Sequence, residues 1–353
     1  MLAHVEAFNS GSDEMLDGKD TDYRLTSTSE ILLTSEQGDR LAIKENVDFA
    51  LGRAVGNVIH VRPEIVKQTL HGIGTSFTES SAFVLAHLDE VKRQEVMNHI
   101  FSEQSANFSF ARTVIGATDF SVEGKFSYDD VKDDKSLKHF SIAPDLDGFS
   151  KEQYPGIQDT EFDLLPMIKQ ALAIKRQQRD SELKIIASAW TAPAWMKDIE
   201  DWYIPGSEQN DYQGGGGYLK HGYEQVYANY LVKYLEHYEK QDVEIWGITP
   251  VNEPGGNNGQ WESMHFSAES QNDFIKHHLG PALHHGNHAD VKLLIYDHNR
   301  DGLEHWAQLL YNDDETSKYL YGAAVHWYDS TFKVHEDVFE RVHNTFPQYE
   351  IIH

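Results

Sequence analysis

No cysteine occurs among the 353 residues, which removes a disulfide framework, a thiol nucleophile and thiolate metal ligands from consideration. Basic residues are also scarce, 30 Lys and Arg against 57 Asp and Glu, leaving a formal charge of −27. Such a surface repels phosphate backbones, so nucleic acid is not an expected partner. No apolar run approaches the roughly 18 residues a membrane span needs, so no integral membrane segment is expected. Residues Met1–Leu16 lack a basic start followed by an apolar stretch, so no signal peptide is visible. Cytoplasmic residence is the default expectation, with secretion open if the N-terminus is processed.

What is present suits a globular enzyme: 40% hydrophobic and 12% aromatic residues in a chain long enough for a barrel of about 250 residues plus a smaller part. Residues 1–22 are polar and rich in Gly, Ser and Asp, and read as a loosely held lead-in. Residues 23–67 hold short β-like pieces, Ile31–Thr34 and Asn57–Val61, with turn-prone Gln37-Gly38-Asp39 between them. They read as a small flanking sheet.

From residue 68 onward, strand-like runs alternate with helical ones. The strand candidates are 72–77, 108–116, 183–190, 244–249, 291–296, 322–327 and 349–353. Helical spacing aligns Leu165, Ile168 and Leu172 on one face, and Val226, Tyr230, Tyr234 and Tyr238 on another. Alternation of this kind predicts a parallel sheet, and seven units in sequence predict a (β/α)8 TIM barrel over 68–353 with its eighth unit absent. A doubly wound sheet is the competitor, disfavoured because no Gly-rich phosphate loop follows the first strand.

Polar residues recur where these strands end. Glu244–Pro254 is a short apolar strand stopped by Pro250 and Pro254, with Asn252 and Glu253 at its carboxyl end. In a parallel barrel that end is where chemistry is done, so Glu253 is the candidate general acid/base. Other strand ends bring Arg112, Asp119, Trp190, Trp195, Asp297, Asn299, His326, Trp327 and Tyr328. Carboxylates with indole faces and few cations suit a neutral polyhydroxylated ligand, because the rings cover the C–H faces of a sugar.

Each position has a plainer reading beside this one. Trp195 and Trp190 also fit barrel packing, and Arg112 fits a buried ion pair as well as a substrate contact. Asp297 and Asn299 read as caps of the next helix. The histidines at 277, 278, 284, 285 and 288 raise a metal site, yet no His-Glu-x-x-His pair occurs. Gly214–Gly217 lacks the ending of a phosphate loop and reads as a flexible rim loop.

Taken in order, the motifs carry a likeness. They are Gln68–Glu79, Thr118–Ser121, Ala189–Met196, Ile248–Pro254, Trp261–Met264, Leu279–Pro281 and Ala324–Tyr328, and the chain that holds them resembles glycoside hydrolase family 30, the glucosylceramidase-like and endo-β-1,6-glucanase-like enzymes. The resemblance implies a (β/α)8 barrel with a β-sandwich side domain built from both chain ends. It implies a retaining β-glycosidase for β-glucosides, glucosylceramide-like glycolipids or short β-glucans, needing no cofactor. Glu253 then matches the acid/base and Asn252 the amide on the sugar 2-hydroxyl. Asp119, Trp190, His326 and Trp327 match positions lining the glycone subsite, Arg112 a supporting residue, and Tyr328 a neighbour.

The family's nucleophile is a Glu at the end of strand seven, which here is Tyr349–His353. The pattern would place it just after His353, since Glu350 lies near that strand's start. The expectation is therefore that the 353 residues alone are poorly stable and hydrolyse glycosides negligibly. A non-catalytic glycan-binding barrel is the alternative.

Overall fold

Apolar runs of three to eight residues cannot satisfy their backbone groups singly, and in this chain they do so by pairing side by side. The computed structural model describes residues 28–48, 56–60, 62–122, 124–179, 181–204, 216–255, 259 and 261–353, in two units, 1–70 and 71–353. The expected lead-in lies outside the described residues.

Among the described residues, the first unit holds two antiparallel pairs. Strand β1 (Thr28–Ser29) meets β4 (Val47–Asp48), and β2 (Leu32–Leu33) meets β3 (Ala42–Ile43). The predicted turn closes the inner hairpin: Gly38 has φ +108°, and its N–H donates to the Ser35 carbonyl at 3.2 Å. Asn57–His60 is not a strand, contrary to expectation, while Val61 lies outside the described residues. Val58 and Ile59 are exposed, and a β-rich composition without a partner does not make a ladder.

The second unit is built on seven parallel strands paired in chain order. They are β5 (Gly74–Phe77), β6 (Phe110–Ile115), β7 (Lys184–Ala189), β8 (Gly247–Thr249), β9 (Lys292–Asn299), β10 (Leu320–His326) and β11 (Glu350–Ile352). Each falls within or across a strand candidate of the sequence. The sheet curls as a TIM barrel does, with β5 and β11 at its edges.

Helices fill the crossovers. Helices α1 (Glu79–Ala86) and α2 (Glu90–Phe101) follow β5, α3 (Leu164–Arg176) follows β6, and α4 (Glu224–Glu239) follows β7. After β8 come α5 (Ala268–Phe274), a π-helical turn (Ile275–Leu279) and α6 (Gly280–His285). Helices α7 (Leu303–Tyr311) and α8 (Asp314–Ser317) follow β9, and α9 (Glu336–Thr345) follows β10. Side-chain caps set the starts: Thr78 accepts from Ser81 N, Asp89 from Lys92 N, and Asp163 from Leu164 N.

Because helices cover the outside and the curl closes the inside, the strands are apolar on both faces. Ile185, Ala187 and Ala189 join the large cluster shared with the helices, whereas Ile186, Leu294 and Ala324 form a smaller one with Phe110 and Trp246 against it. Helix α4 buries Tyr227, Tyr230, Tyr234 and Tyr238. Asp145 accepts hydrogen bonds from Tyr238 (2.6 Å) and Tyr128 (2.7 Å), and Tyr227 donates to the Pro250 carbonyl at 2.7 Å. The tyrosine face of α4 thus reaches the chain segment that carries Asn252 and Glu253. No helix among the described residues is long and apolar enough to cross a membrane.

Candidate active site

Strand β8 stops because Pro250 has no N–H to donate. The segment after it is then held by its neighbours: Asn252 N donates to the Ala189 carbonyl (2.7 Å) and Glu253 N to the Asp297 carbonyl (2.9 Å). These bonds fasten the turn to the ends of β7 and β9. Glu253 adopts a left-handed backbone, φ +49°, a conformation a non-glycine residue keeps only when its surroundings over-determine it.

Strand β9 contributes by an irregularity. Tyr296 pairs with Ala324 and His298 with Val325, so Asp297 is an extra residue, and φ is +73° at Tyr296 and +58° at Asp297. This bulge re-aims the carboxylate inward. The Asp297 side chain is 1% exposed, and its Oδ2 accepts from Arg112 Nη2 (2.9 Å) and Thr249 Oγ1 (2.6 Å). Thr249 has one proton and spends it on the carboxylate, so Ser188, 2.7 Å away, donates to Thr249. Asp297 is therefore not a helix cap. Asn299 does stand at the N-cap of the 3₁₀ turn Arg300–Gly302, but its side chain makes no cap bond there, and its Oδ1 accepts from Tyr328 N at 3.1 Å.

His326, the last residue of β10, joins the two carboxylates. Its Nδ1 lies 3.0 Å from Glu253 Oε1 and its Nε2 2.8 Å from Asp297 Oδ1. Each nitrogen faces a carboxyl oxygen, an arrangement in which an imidazolium donates to both. Burial pulls its pKa down, but the hydrogen bonds to Asp297 and Glu253 outweigh that and lift it to about 9. Asp297 goes the other way: burial disfavours its charge, yet Arg112 and His326 hold it well below the usual carboxylate range.

Arg112 completes the network. Besides Asp297, its Nη2 donates to Asn252 Oδ1 at 2.8 Å, and this fixes the amide so that Nδ2 is the group left to donate elsewhere. The guanidinium carbon also lies 4.7 Å from the Trp190 ring centroid. Of the two readings of Arg112, the structure shows the ion pair. Trp190 Nε1 donates to Asp119 Oδ1 at 3.0 Å. Burial raises the Asp119 pKa, hydrogen bonds from the backbone and Trp190 oppose it, and the charges of Glu253 and Glu262 add to the rise.

Trp327 and Tyr328 stand at the edge of this group, 46% and 64% exposed, with ring centroids 5.1 Å apart. Arg300 holds their segment by donating to the carbonyls of Trp327 (3.0 Å) and Ser330 (2.6 Å). Trp195, by contrast, is buried and donates to the Asp129 carbonyl at 2.8 Å, so it serves packing. Gly214 and Gly215 lie outside the described residues. Gly217 is pinned rather than loose, donating to Asp198 Oδ1 (2.7 Å) and accepting from His265 N (2.9 Å).

The candidate residues Arg112, Asn252, Glu253 and His326 thus form one network with Asp297, which the sequence places at a strand end but reads as a helix cap. Asp119 and Trp190 adjoin it through the Arg112–Trp190 contact. The only available signal for Asp297 was its place directly after the apolar run of β9.

Carboxylates and indoles gathered at the carboxyl ends of parallel barrel strands define a barrel of the glycoside-hydrolase class. Within that class the chain belongs to glycosyl hydrolase family 30, whose TIM-barrel domain matches residues 70–353. The Putative glucosylceramidase 3 of Caenorhabditis elegans is 30% identical over 338 residues, which cover 94% of this chain and 58% of that protein. Among solved structures, SrfJ from Salmonella typhimurium superposes with a TM-score of 0.76 at 25% identity, covering 92% of this chain and 65% of its own. The endo-beta1,6-glucanase BT3312 gives a TM-score of 0.65 at 27% identity, covering 82% of this chain and 58% of its own. The chain therefore spans well under two thirds of the length of the C. elegans relative.

Proposed function

We propose that the protein is a retaining β-glycosidase acting on β-glucosides, with a glucosylceramide-like or β-glucan substrate, and that Glu253 is its general acid/base. One observation carries the reading: Glu253 sits at the end of β8, bonded to a charged His326 that is itself anchored on Asp297. A proton donor at a glycosidic oxygen must be held in place while it gives up its proton and takes another from water. The bond from His326 and the strained backbone of Glu253 supply that positioning.

In this reading Glu253 protonates the leaving oxygen as a covalent glycosyl-enzyme forms, then deprotonates the water that releases the sugar. Asn252, its Oδ1 held by Arg112, donates from Nδ2 to the 2-hydroxyl. Trp190, Trp327 and Tyr328 offer ring faces to the sugar, and Asp119 accepts from its hydroxyls. Retention requires a second carboxylate about 5 to 5.5 Å from the first. Glu350 does not fit, since it opens β11 opposite Gly322 and lies 3.6 Å from His71. The register puts Ile352 beside Ala324, two residues short of His326, so the fitting place is just past His353 on the continuation of β11. The names of the C. elegans and BT3312 relatives, a glucosylceramidase and an endo-beta1,6-glucanase, support a glucosyl unit.

The test compares leaving groups. Glu253→Gln is expected to slow hydrolysis of an alkyl β-glucoside by about 10²- to 10⁴-fold. A dinitrophenyl β-glucoside needs no protonation to depart, so formation of its glycosyl-enzyme should be spared. Equal losses for both substrates would remove Glu253 from the acid role.

A further inference from the structure

On the outer wall of the barrel lies a cavity of about 680 Å³ between α4, the α6 segment and residues 135–137. Its lining is unusual for a chain with a charge of −27. Lys135, Lys233, His277 and His285 face it, against a single carboxylate, Glu236.

The two lysines are oriented, and among the described residues neither is in an ion pair. Lys233 Nζ donates one hydrogen bond, to the Leu137 carbonyl at 2.9 Å, and an ammonium has two more to give. Lys135 Nζ lies 4.2 Å from the Tyr223 ring centroid, a contact that fixes its direction and consumes no N–H.

The amides on this wall are also aligned. Gln225 Nε2 donates to Asn229 Oδ1 at 3.0 Å, so its Oε1 is the atom that meets His278 Nδ1 at 3.2 Å. A carbonyl oxygen only accepts, hence that nitrogen carries the proton. With its Oδ1 occupied, Asn229 has Nδ2 to offer to the groove it lines. A neutral sugar would want acceptors as well as donors, and a cation would be repelled. Two ammoniums and an amide N–H2 on one groove are donors of the kind that oxyanion oxygens accept from.

We infer that this groove binds an oxyanion of the phosphate or sulfate type, held by Lys135, Lys233 and Asn229. The groove leaves room beside a bare ion, so the two sources to separate are a soluble phosphate ester and a lipid headgroup.

The experiment titrates the protein with inorganic phosphate, glycerol phosphate, and vesicles of phosphatidylglycerol or phosphatidylcholine, following binding by calorimetry or sedimentation. Saturable phosphate binding that sulfate displaces is expected, weakening as salt is added. Lys233→Met should weaken it about tenfold, the loss of one charge-assisted hydrogen bond, and Asn229→Asp by more than that, because it also sets a carboxylate against the anion. Asn229 is exposed, so Asn229→Asp keeps the test valid if Lys233→Met fails to fold. Glycerol phosphate binding without vesicle binding assigns a soluble ester, and binding to phosphatidylglycerol vesicles alone assigns a headgroup. No binding by any of these, or binding that both variants leave unchanged, overturns the inference.

Discussion

Asp297 Oδ1 lies 2.8 Å from His326 Nε2, and the other nitrogen of the same ring lies 3.0 Å from Glu253 Oε1. A buried carboxylate therefore fixes the charge state of the histidine that holds the proposed acid/base. Asp297→Ala would leave Arg112 and His326 as poorly compensated cations in a buried network. Removing one partner of a buried pair costs roughly 3–5 kcal/mol, and urea denaturation should show a loss of that order. A loss below about 1 kcal/mol, the value of an exposed pair, would mean the pairing is weak in solution.

The same pair sets a pH dependence. His326 titrates at about 9 in the folded chain against 6.5 for a free imidazole. A raised pKa means its stabilising contribution is complete below pH 6.5 and is lost as pH rises through about 9. The thermal midpoint should fall across that window, and His326→Gln should flatten the fall. An unchanged slope in the variant would assign the loss to other groups.

Asp145 gives a second window of the same direction. Burial raises its pKa from 3.8 to about 7, only partly opposed by the hydroxyls of Tyr238 and Tyr128. The folded chain then binds a proton that the unfolded chain has released, so stability declines as pH rises from 3.8 to about 7 and levels off above. Asp145→Asn should remove that decline. Chemical denaturation at several pH values measures it, and parallel curves for the two proteins would refute the assignment.

Tyr227→Phe deletes the hydrogen bond to the Pro250 carbonyl and leaves that acceptor buried. A stability loss of about 1–3 kcal/mol is expected, the cost of an unsatisfied buried group. Because the bond ends two residues before Asn252, kcat should fall while KM changes little. A fall in stability with kcat intact would show that α4 supports the barrel without positioning the site.

The strands of the barrel were legible because runs such as 183–190 and 291–296 are apolar on both faces, as only helix-covered parallel strands are. Glu253 and His326 were legible because each closes such a run. Asp297 was not, because an extra residue in a parallel pair leaves no compositional trace, and Asp-His-Asn after a strand is also what a helix cap looks like. The tyrosine face of α4 could be read from its spacing, whereas its partner Asp145 sits 93 residues from Tyr238, beyond any local pattern. Asn57–His60 misled for the opposite reason, since β-branched residues favour a strand only where a partner exists.

The most direct measurement follows the first-formed anomer by proton NMR as the full-length protein hydrolyses a β-glucoside, with the Glu253→Gln variant beside it. The β-anomer should form first, and the Glu253→Gln variant should show negligible turnover. Release of the α-anomer first, or full turnover by Glu253→Gln, would contradict a retaining mechanism with Glu253 as its acid/base.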